Sequence, residues 1–279
     1  MGSRMLRGKD ATLAAIIETI LNEKPETQNE IAKKLNISRR YVAKLLKPLI
    51  DEKIVRHPYV VDIEKLSKLE IYNSIEKPIS NIIELLDKMG NNVLYNLDKV
   101  HNALKTMDIE DAKSIIFQDH TLNRLEEEVN IIIKMDNLKY LPLKQTALLS
   151  KIASNIERCG DYLSNIAEEI INGLFIKEYL YEDIDEIFHI IKRMFSIAMD
   201  VVKGKKPSFE IYTLEEDLHK KLEKIMKVLA EKERCESKNI NYYIQFGMFL
   251  KDIERFGDRC IKIFETAREF HQGLLESKN

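Results

Sequence analysis

The sequence is poor in glycine, proline and cysteine. Nine Gly and six Pro in 279 residues leave little material for turns, and the abundant Ile, Leu, Lys and Glu predict a mainly α protein. The three cysteines, Cys159, Cys235 and Cys260, form no CxxC pair and no Cys/His metal spacing. We therefore expect core thiols in a reducing compartment and no disulfide framework.

Long uncharged runs are also missing. Nothing in the chain approaches 18 uncharged apolar residues, and the stretch "MGSRMLRGKD" has no apolar segment before a cleavage site. These absences predict a cytoplasmic protein with no membrane insertion. No Gly-rich phosphate loop and no Ser/His/Asp order appears, so catalysis is not expected.

Charge is divided unevenly along the chain. The formal net charge is -2, yet residues 1–60 hold 12 Lys/Arg against 7 Asp/Glu, a net of +5, which leaves -7 for the remainder. A basic N-terminal segment on an acidic body suggests two partners of opposite charge.

The segment "TQNEIAKKLNISRRYVAKLLKPLI" has helical apolar spacing on both sides of a break at Asn36. Thr27 and Glu30 form a capping-box pattern, Ser38 can cap the second helix, and Asn36 is a residue type that tolerates the positive φ of a tight turn. With the short β-like segment "RHPYVVD" as a wing, residues 1–62 are predicted to form a winged helix-turn-helix.

The second helix of this motif and the wing present basic and polar side chains at positions an apolar core cannot use. Such helices place their first residues against base edges of double-stranded DNA and their basic neighbours on phosphates. The predicted DNA-binding residues are Arg39, Arg40, Tyr41, Lys44, Lys47 and Arg56. Pro48 is expected to bend or end the helix near Lys47. The alternative is a helical adaptor whose lysines only solvate its surface.

Residues 63–279 show the i, i+3, i+4, i+7 apolar spacing of a helical bundle. The predicted helices span 64–107 with a break near Pro78, then 109–137, 143–173, 178–203, 209–236 and 240–275. The first three and the last three resemble one another. The expected fold is therefore a six-helix body of two three-helix bundle repeats, about 75–173 and 178–275.

The pattern Ile-Glu-Arg-x-Gly-Asp occurs twice, 97 residues apart, and the same offset relates acidic residues of the middle helices. Clustered carboxylates repel one another unless protons or cations compensate, and hard or borderline divalent cations bind such oxygens. The alternative is an ordinary solvated helix face. The candidate ligands for Fe, Zn, Mn or Mg, in open and even multinuclear sites, are Asp119, Glu126, Glu157, Asp161, Glu216, Glu223, Glu254 and Asp258.

The two acidic sites differ. Asn123 and Asn165 of the first repeat become Lys220 and Lys262 in the second, where an ammonium can partly neutralise the carboxylates. We therefore predict better metal binding at the first site. A di-iron enzyme is a weaker alternative, because its Glu-x-x-His motif occurs once, from Glu186 to His189, without a repeat partner.

Two three-helix units with Asp119, Asn123 and Glu126 on a middle helix, and Glu-Arg-x-Gly-Asp followed by Asn-Ile-Ala-Glu on a final helix (Glu157 to Glu168), resemble the PhoU family of phosphate-uptake regulators. The resemblance covers roughly Leu69 to Gly273. With the N-terminal motif, the chain is similar to archaeal regulators of phosphate transport.

What the resemblance implies is a regulator without catalysis that carries surface metal clusters, forms a homodimer and acts on a phosphate ABC transporter. The prediction is accordingly a DNA-binding transcriptional regulator of phosphate uptake. The alternative is an adaptor that contacts the transporter ATPase and binds no DNA.

Overall fold

The computed structural model describes residues 8–23, 25–56, 59–66, 78–134, 143–232 and 240–276. They form two units, an N-terminal one that includes residues 8–66 and a helical body of residues 82–133 and 143–276. His57, Pro58, Cys235 and the expected helix breaks at 140–142 and 235–239 lie outside the described residues.

The N-terminal unit is a winged helix-turn-helix, as the sequence predicts. Its helices are α1 (Lys9–Glu23), α2 (Gln28–Lys34), α3 (Arg39–Asp51) and the short α4 (Ile63–Leu66). Strands β1 (Val55–Arg56) and β2 (Val60–Val61) pair antiparallel between α3 and α4 and form the wing.

Local sequence signals set the start of α2 and the turn between α2 and α3. The Thr27 hydroxyl accepts a hydrogen bond from the Glu30 amide at 3.3 Å, and a Glu30 carboxylate oxygen accepts one from the Glu26 amide at 3.0 Å. Asn36 adopts a φ of 51°, and the Ser38 hydroxyl accepts from the Tyr41 amide at 3.2 Å. Each cap satisfies a backbone donor that the helix itself leaves unpaired.

Helix α1 is absent from the prediction, although its apolar spacing is regular. Leu13, Ile16, Ile17, Ile20 and Leu21 recur at i, i+3, i+4, i+7 and i+8 and all belong to the N-terminal core or pack against it. Ile16 and Ile17 are fully buried. The core therefore needs a third helix that the two-helix pattern does not include.

Two boundaries of this unit lie farther along the chain than the sequence suggests. Helix α3 continues through Pro48 to Asp51, because Pro48 lies on the exposed face while Leu45 and Leu49 on the other face are buried in the core. That packing outweighs the ~3 kcal/mol cost of a proline inside a helix. Leu66 is also fully buried in the N-terminal core, so this unit extends beyond residue 62.

Within the described residues the body consists of six long helices, close to the predicted bounds. They are α5 (Pro78–Thr106), α6 (Ile109–Lys134), α7 (Leu143–Ile171), α8 (Tyr181–Val202), α9 (Glu210–Lys232) and α10 (Ile240–Glu276). A 3-10 turn, Glu178–Leu180, precedes α8. In the part of the chain that the structure describes, no helix is long and apolar enough to cross a membrane.

Helices α7 and α10 pack against each other along their length. Asn155 meets Arg259, and Gln245 reaches Asn172, so the two helices run antiparallel. Cys159 on α7 and Cys260 on α10 are both buried free thiols, as expected for core cysteines. Equivalent helices of the two repeats thus meet at the centre of the body.

The repeat offset is not uniform. In α7 and α10 equivalent buried positions lie 97 residues apart, for example Ile156 and Ile253. In the middle helices the matching buried sets, which lie 96 residues apart, are Ile115, Leu122 and Val129 on α6 and Ile211, Leu218 and Ile225 on α9.

The two motif glycines fix this register independently. Leu122 packs on Gly160 and Leu218 packs on Gly257, each closer than a Cβ would allow. Side chains that occupy the same place in the two repeats therefore lie one position earlier on α9 than the 97-residue offset predicts.

Candidate nucleic-acid interface and metal sites

Four basic side chains project from α3 of the N-terminal unit. Arg39 and Arg40 occupy its first turn, Lys44 and Lys47 follow on later turns, and all four are exposed. Among the described residues, no carboxylate lies within ion-pair distance of any of them, whereas the neighbouring Lys34 is paired with Glu23 at 2.6 Å. The predicted recognition helix therefore presents a basic surface that a polyanion such as DNA can reach.

Two other predicted DNA-binding residues already make contacts within the protein. Tyr41 is only partly exposed and packs against the N-terminal core, because it lies one turn before Leu45 on the edge of the apolar stripe. Arg56 is exposed on β1, but its guanidinium lies 3.6 Å from the Asp62 carboxylate. A contact of Arg56 with DNA must compete with that ion pair.

The first acidic site lies between α6 and α7 and contains all four predicted residues. Burial, and then repulsion from Asp161, Glu126 and Asp119, raises the pKa of Glu157 to about 7. Burial and the charge of Asp119 likewise raise the pKa of Asp161. Asp119, Glu126, Glu157 and Asp161 therefore share one electrostatic environment in which not all four ionise easily.

Polar neighbours orient this site. The Asn123 amide donates to one oxygen of Asp119 at 3.1 Å, and the Ser164 hydroxyl donates to the other at 3.4 Å. The Arg158 guanidinium favours ionised Asp161. A divalent cation would supply the remaining positive charge, and carboxylate oxygens are its preferred ligands.

The second set of predicted residues is dispersed. Glu216 is 73% exposed and lies 3.9 Å from Lys220, while the Glu223 carboxylate is 61% exposed and pairs with Lys227 at 2.6 Å. Glu254 pairs with Lys251 at 2.7 Å. Glu216 and Glu223 are thus one position out of register, because α9 follows the 96-residue offset.

A different group converges on Asp258. Ligand atoms of Glu215, His219 and Asp258 all lie within 4.8 Å of one another, and no other trio of His, Cys, Asp and Glu in the described residues comes as close. Burial raises the pKa of Glu215, and the charges of Asp258 and Glu265 add to that effect. His219 provides an imidazole that borderline metals such as Zn²⁺ accept.

The 96-residue offset explains why this trio was missed. It aligns Asp119 with Glu215 and Asn123 with His219, whereas the 97-residue offset selects Glu216 instead. The expected neutralising ammoniums also lie elsewhere: Lys220 is near Glu216 and Asp217, 3.7 Å from the latter, and Lys262 lines a separate cleft.

The weaker di-iron alternative finds no support in the geometry. Glu186 forms an ion pair with Lys221, and His189 makes a 2.7 Å hydrogen bond through Nδ1 to the backbone carbonyl of Asp185 in its own helix. Both side chains are exposed, whereas the di-iron motif needs inward-facing ligands.

Comparison with known families divides the chain in the same way. Residues 9–56 match the winged helix-turn-helix DNA-binding family, a range that starts at α1, and residues 86–170 match the PhoU domain. The chain belongs to the PhoU family. The PhoU match includes α6, most of α7 and the whole first acidic site.

Relatives extend this assignment. An uncharacterized protein of Methanocaldococcus jannaschii is 52% identical over 97% of this chain and 93% of its own length. The phosphate-specific transport system accessory protein PhoU homolog of Aquifex aeolicus is 27% identical, over 67% of this chain and 86% of its own length. The homolog of the same name in Clostridium acetobutylicum is 23% identical, over 69% of this chain and 91% of its own length.

Solved structures confirm the fold of the body. The crystal structure of PhoU from Pseudomonas aeruginosa superposes with a TM-score of 0.62 at 18% identity, over 70% of this chain and 98% of that one. PhoU from Streptococcus pneumoniae gives a TM-score of 0.60, over 70% and 95%. At this identity the likeness concerns the fold alone.

Proposed function

We propose that this PhoU-family protein is a cytoplasmic, DNA-binding transcriptional regulator of phosphate uptake whose helical body senses metal. The observation that carries the proposal is that a PhoU body is joined to a winged helix-turn-helix whose α3 presents Arg39, Arg40, Lys44 and Lys47 without a carboxylate partner among the described residues. A basic helix exposed on a helix-turn-helix unit is the electrostatic footprint expected of a DNA-binding protein.

The DNA-binding half of the proposal depends on the position of the charges. Arg39 and Arg40 begin α3, where a recognition helix meets base edges, and Lys44 and Lys47 lie farther along, where phosphates are reached. One short helix reads few bases. A homodimer that presents two such helices to two half-sites is therefore the proposed binding form.

The metal-sensing half depends on the uncompensated carboxylates. With Glu157 at a pKa of about 7, the first site resists full ionisation until a cation arrives. The second site adds the ligand trio Glu215, His219 and Asp258. Bound Fe, Zn, Mn or Mg would remove the repulsion between α6 and α7, and between α9 and α10, and so stiffen each repeat.

A second candidate function keeps the same body. Related proteins are named as accessory proteins of phosphate-specific transport systems, which favours an adaptor that contacts the transporter ATPase. In that case the N-terminal unit binds protein, and its affinity for DNA is weak and unspecific.

The deciding experiment captures DNA. Purified full-length protein is incubated with sheared genomic DNA of its source at moderate salt, and the bound fragments are sequenced. Enrichment upstream of phosphate-transporter genes supports the regulator, and an operator then becomes available. No enrichment with folded protein favours the adaptor.

The operator allows a sharper test of the interface. Replacing Arg39 and Arg40 by Ala should weaken operator binding at least about tenfold and flatten its salt dependence, because fewer counterions are released. The matched control is Lys224→Ala with Lys227→Ala on α9, which removes the same charge from the body. Equal losses in both double variants would contradict the recognition-helix assignment.

A further inference from the structure

A basic cleft opens between α7 and α10. It contains none of the candidate metal ligands, although Arg158 and Glu265 on its wall also influence Asp161 of the first acidic site and Glu215 of the second. Its volume is about 440 Å³, within the range of small-ligand sites. Its cationic and hydroxyl lining consists of Lys151, Ser154 and Arg158 from α7 and Arg259, Lys262 and Thr266 from α10.

The cleft holds one guanidinium in place before any ligand arrives. Arg259 donates through Nη1 to the Asn155 carboxamide at 3.2 Å, and its Nε lies 3.5 Å from the Tyr162 hydroxyl. Asn155 is itself buried, 5% exposed, and its amide is fixed by the backbone carbonyl of Lys151 at 2.7 Å. Such preorganisation lowers the entropy cost of binding an anion.

Most cationic side chains of the cleft form no ion pair with another described residue. Within the described ranges, Lys151, Arg158 and Lys262 have no carboxylate within 4 Å, whereas Glu269, at the cleft edge, is paired with Lys144 at 2.7 Å. Four cations against two carboxylates leave an excess of positive charge on the wall of an otherwise acidic body. An anion is the ligand that such a site attracts.

The repeat provides an internal comparison. At the 97-residue offset of α7 and α10, the four cationic positions correspond to Met248, Arg255, Tyr162 and Asn165. Only one of these is charged, and Asp252, whose pKa burial raises, takes the place of Asn155. The basic cleft is therefore a property of one side of the α7–α10 pair and not a consequence of how such helices pack.

We propose that this cleft binds inorganic phosphate. Guanidinium forks match the oxygens of a tetrahedral oxyanion, and Ser154 and Thr266 add neutral donors. Glu265 also lines the cleft and accepts a hydrogen bond from Tyr212 at 3.4 Å, which leaves carboxylate lone pairs available. Near neutral pH phosphate keeps a P–OH that can donate to Glu265, whereas sulfate has no such proton and is repelled.

This assignment goes beyond the proposed function. It concerns the ligand of the body and would hold even if the N-terminal unit bound no DNA and the acidic sites bound no metal. Binding of phosphate and binding of DNA are measured separately, so failure of one is distinguishable from failure of the other.

The test uses equilibrium dialysis of the full-length protein against radiolabelled phosphate, with EDTA present so that no metal recruits the anion. Arg158→Gln should weaken phosphate binding at least about tenfold. Arg255→Gln removes the equivalent arginine of the other repeat, adjacent to the other acidic motif, and should leave binding within about twofold. Circular dichroism confirms that both variants are folded. Equal losses, or no binding by the unaltered protein, would overturn the proposal.

Competition identifies the anion. Unlabelled phosphate should displace the label, and sulfate should need at least about a tenfold higher concentration. Glu265→Gln should abolish that preference while phosphate still binds, because a carboxamide can donate to either anion. Displacement by tripolyphosphate or ATP at much lower concentration than by phosphate would overturn the assignment in favour of a phosphoanhydride ligand, as would equal displacement by sulfate from the unaltered protein.

Discussion

The two acidic sites of the body occupy equivalent places in the two repeats but offer different ligands. In the first, Asn123 donates to Asp119, and in the second the equivalent pair is His219 and Glu215. A carboxamide that only orients a carboxylate has been exchanged for an imidazole that can bind metal itself. The two repeats thus place acidic residues at equivalent positions but would offer a metal different donor atoms.

The two sites also differ in how far their carboxylates are compensated by positive charge. The first accumulates four carboxylates and holds the pKa of Glu157 at about 7, whereas at the second motif Glu254 is paired with Lys251. More uncompensated charge favours the first site for hard cations, and the close trio with His219 favours the second for borderline ones. The prediction that the first site binds metal better therefore stays a prediction, now specific to hard cations such as Mg²⁺ or Mn²⁺.

The largest change in metal affinity is expected when the candidate ligands of the second site are removed. Glu215→Ala with Asp258→Ala should lower Co²⁺ or Zn²⁺ affinity at that site by about a hundredfold, because two of three ligands are lost. Isothermal titration of the metal-free protein measures this change, with the first site inactivated by Glu157→Ala and Asp161→Ala in every sample.

The matched control uses the residues that the uniform offset selects. Glu216→Ala with Glu223→Ala removes the same charge from α9 but from exposed side chains paired with lysines, and should change affinity less than about threefold. If this control lost metal and the Glu215 variant kept it, the register of α9 described above would be wrong.

The register of α9 could not be predicted from the sequence, whereas the caps and the turn of the N-terminal unit could. The caps at Thr27 and Ser38 and the turn at Asn36 depend on neighbouring residues, so their chemistry could be predicted locally. The candidate metal trio depends on how α9 is rotated against α10, which is a matter of packing between helices far apart in the sequence. Because Glu215 and Glu216 are adjacent acids, the sequence satisfies both registers, and only the packing of Leu218 on Gly257 decides between them.

An intermediate effect is expected from transplanting the imidazole. Asn123→His places in the first site the group that His219 supplies in the second. It should raise Co²⁺ or Zn²⁺ affinity about tenfold and leave Mg²⁺ affinity unchanged or lower, because imidazole suits borderline metals. Competition of the two metals with a chromogenic chelator measures both. A gain for Mg²⁺ as well would mean that the change acts through charge or flexibility.

The smallest effect concerns proton binding at Glu157 without metal. Its pKa is raised from 4.5 to about 7, so the folded state keeps a proton that the unfolded state has released. The contribution of Glu157 to the free energy of unfolding is therefore fully retained below about pH 4.5 and declines as the pH rises to about 7.

Replacing Glu157 by Gln should remove that decline. The variant is expected to exceed the unaltered protein by about 1 kcal/mol above pH 7, a value reduced for solvent screening of this partly exposed group, and to match it at pH 4. Urea unfolding in EDTA across this pH range measures the difference. Glu254→Gln, which removes an ion pair with Lys251, should give no gain at any pH. Parallel curves for Glu157→Gln and the unaltered protein would show that the first site is as well compensated as the second.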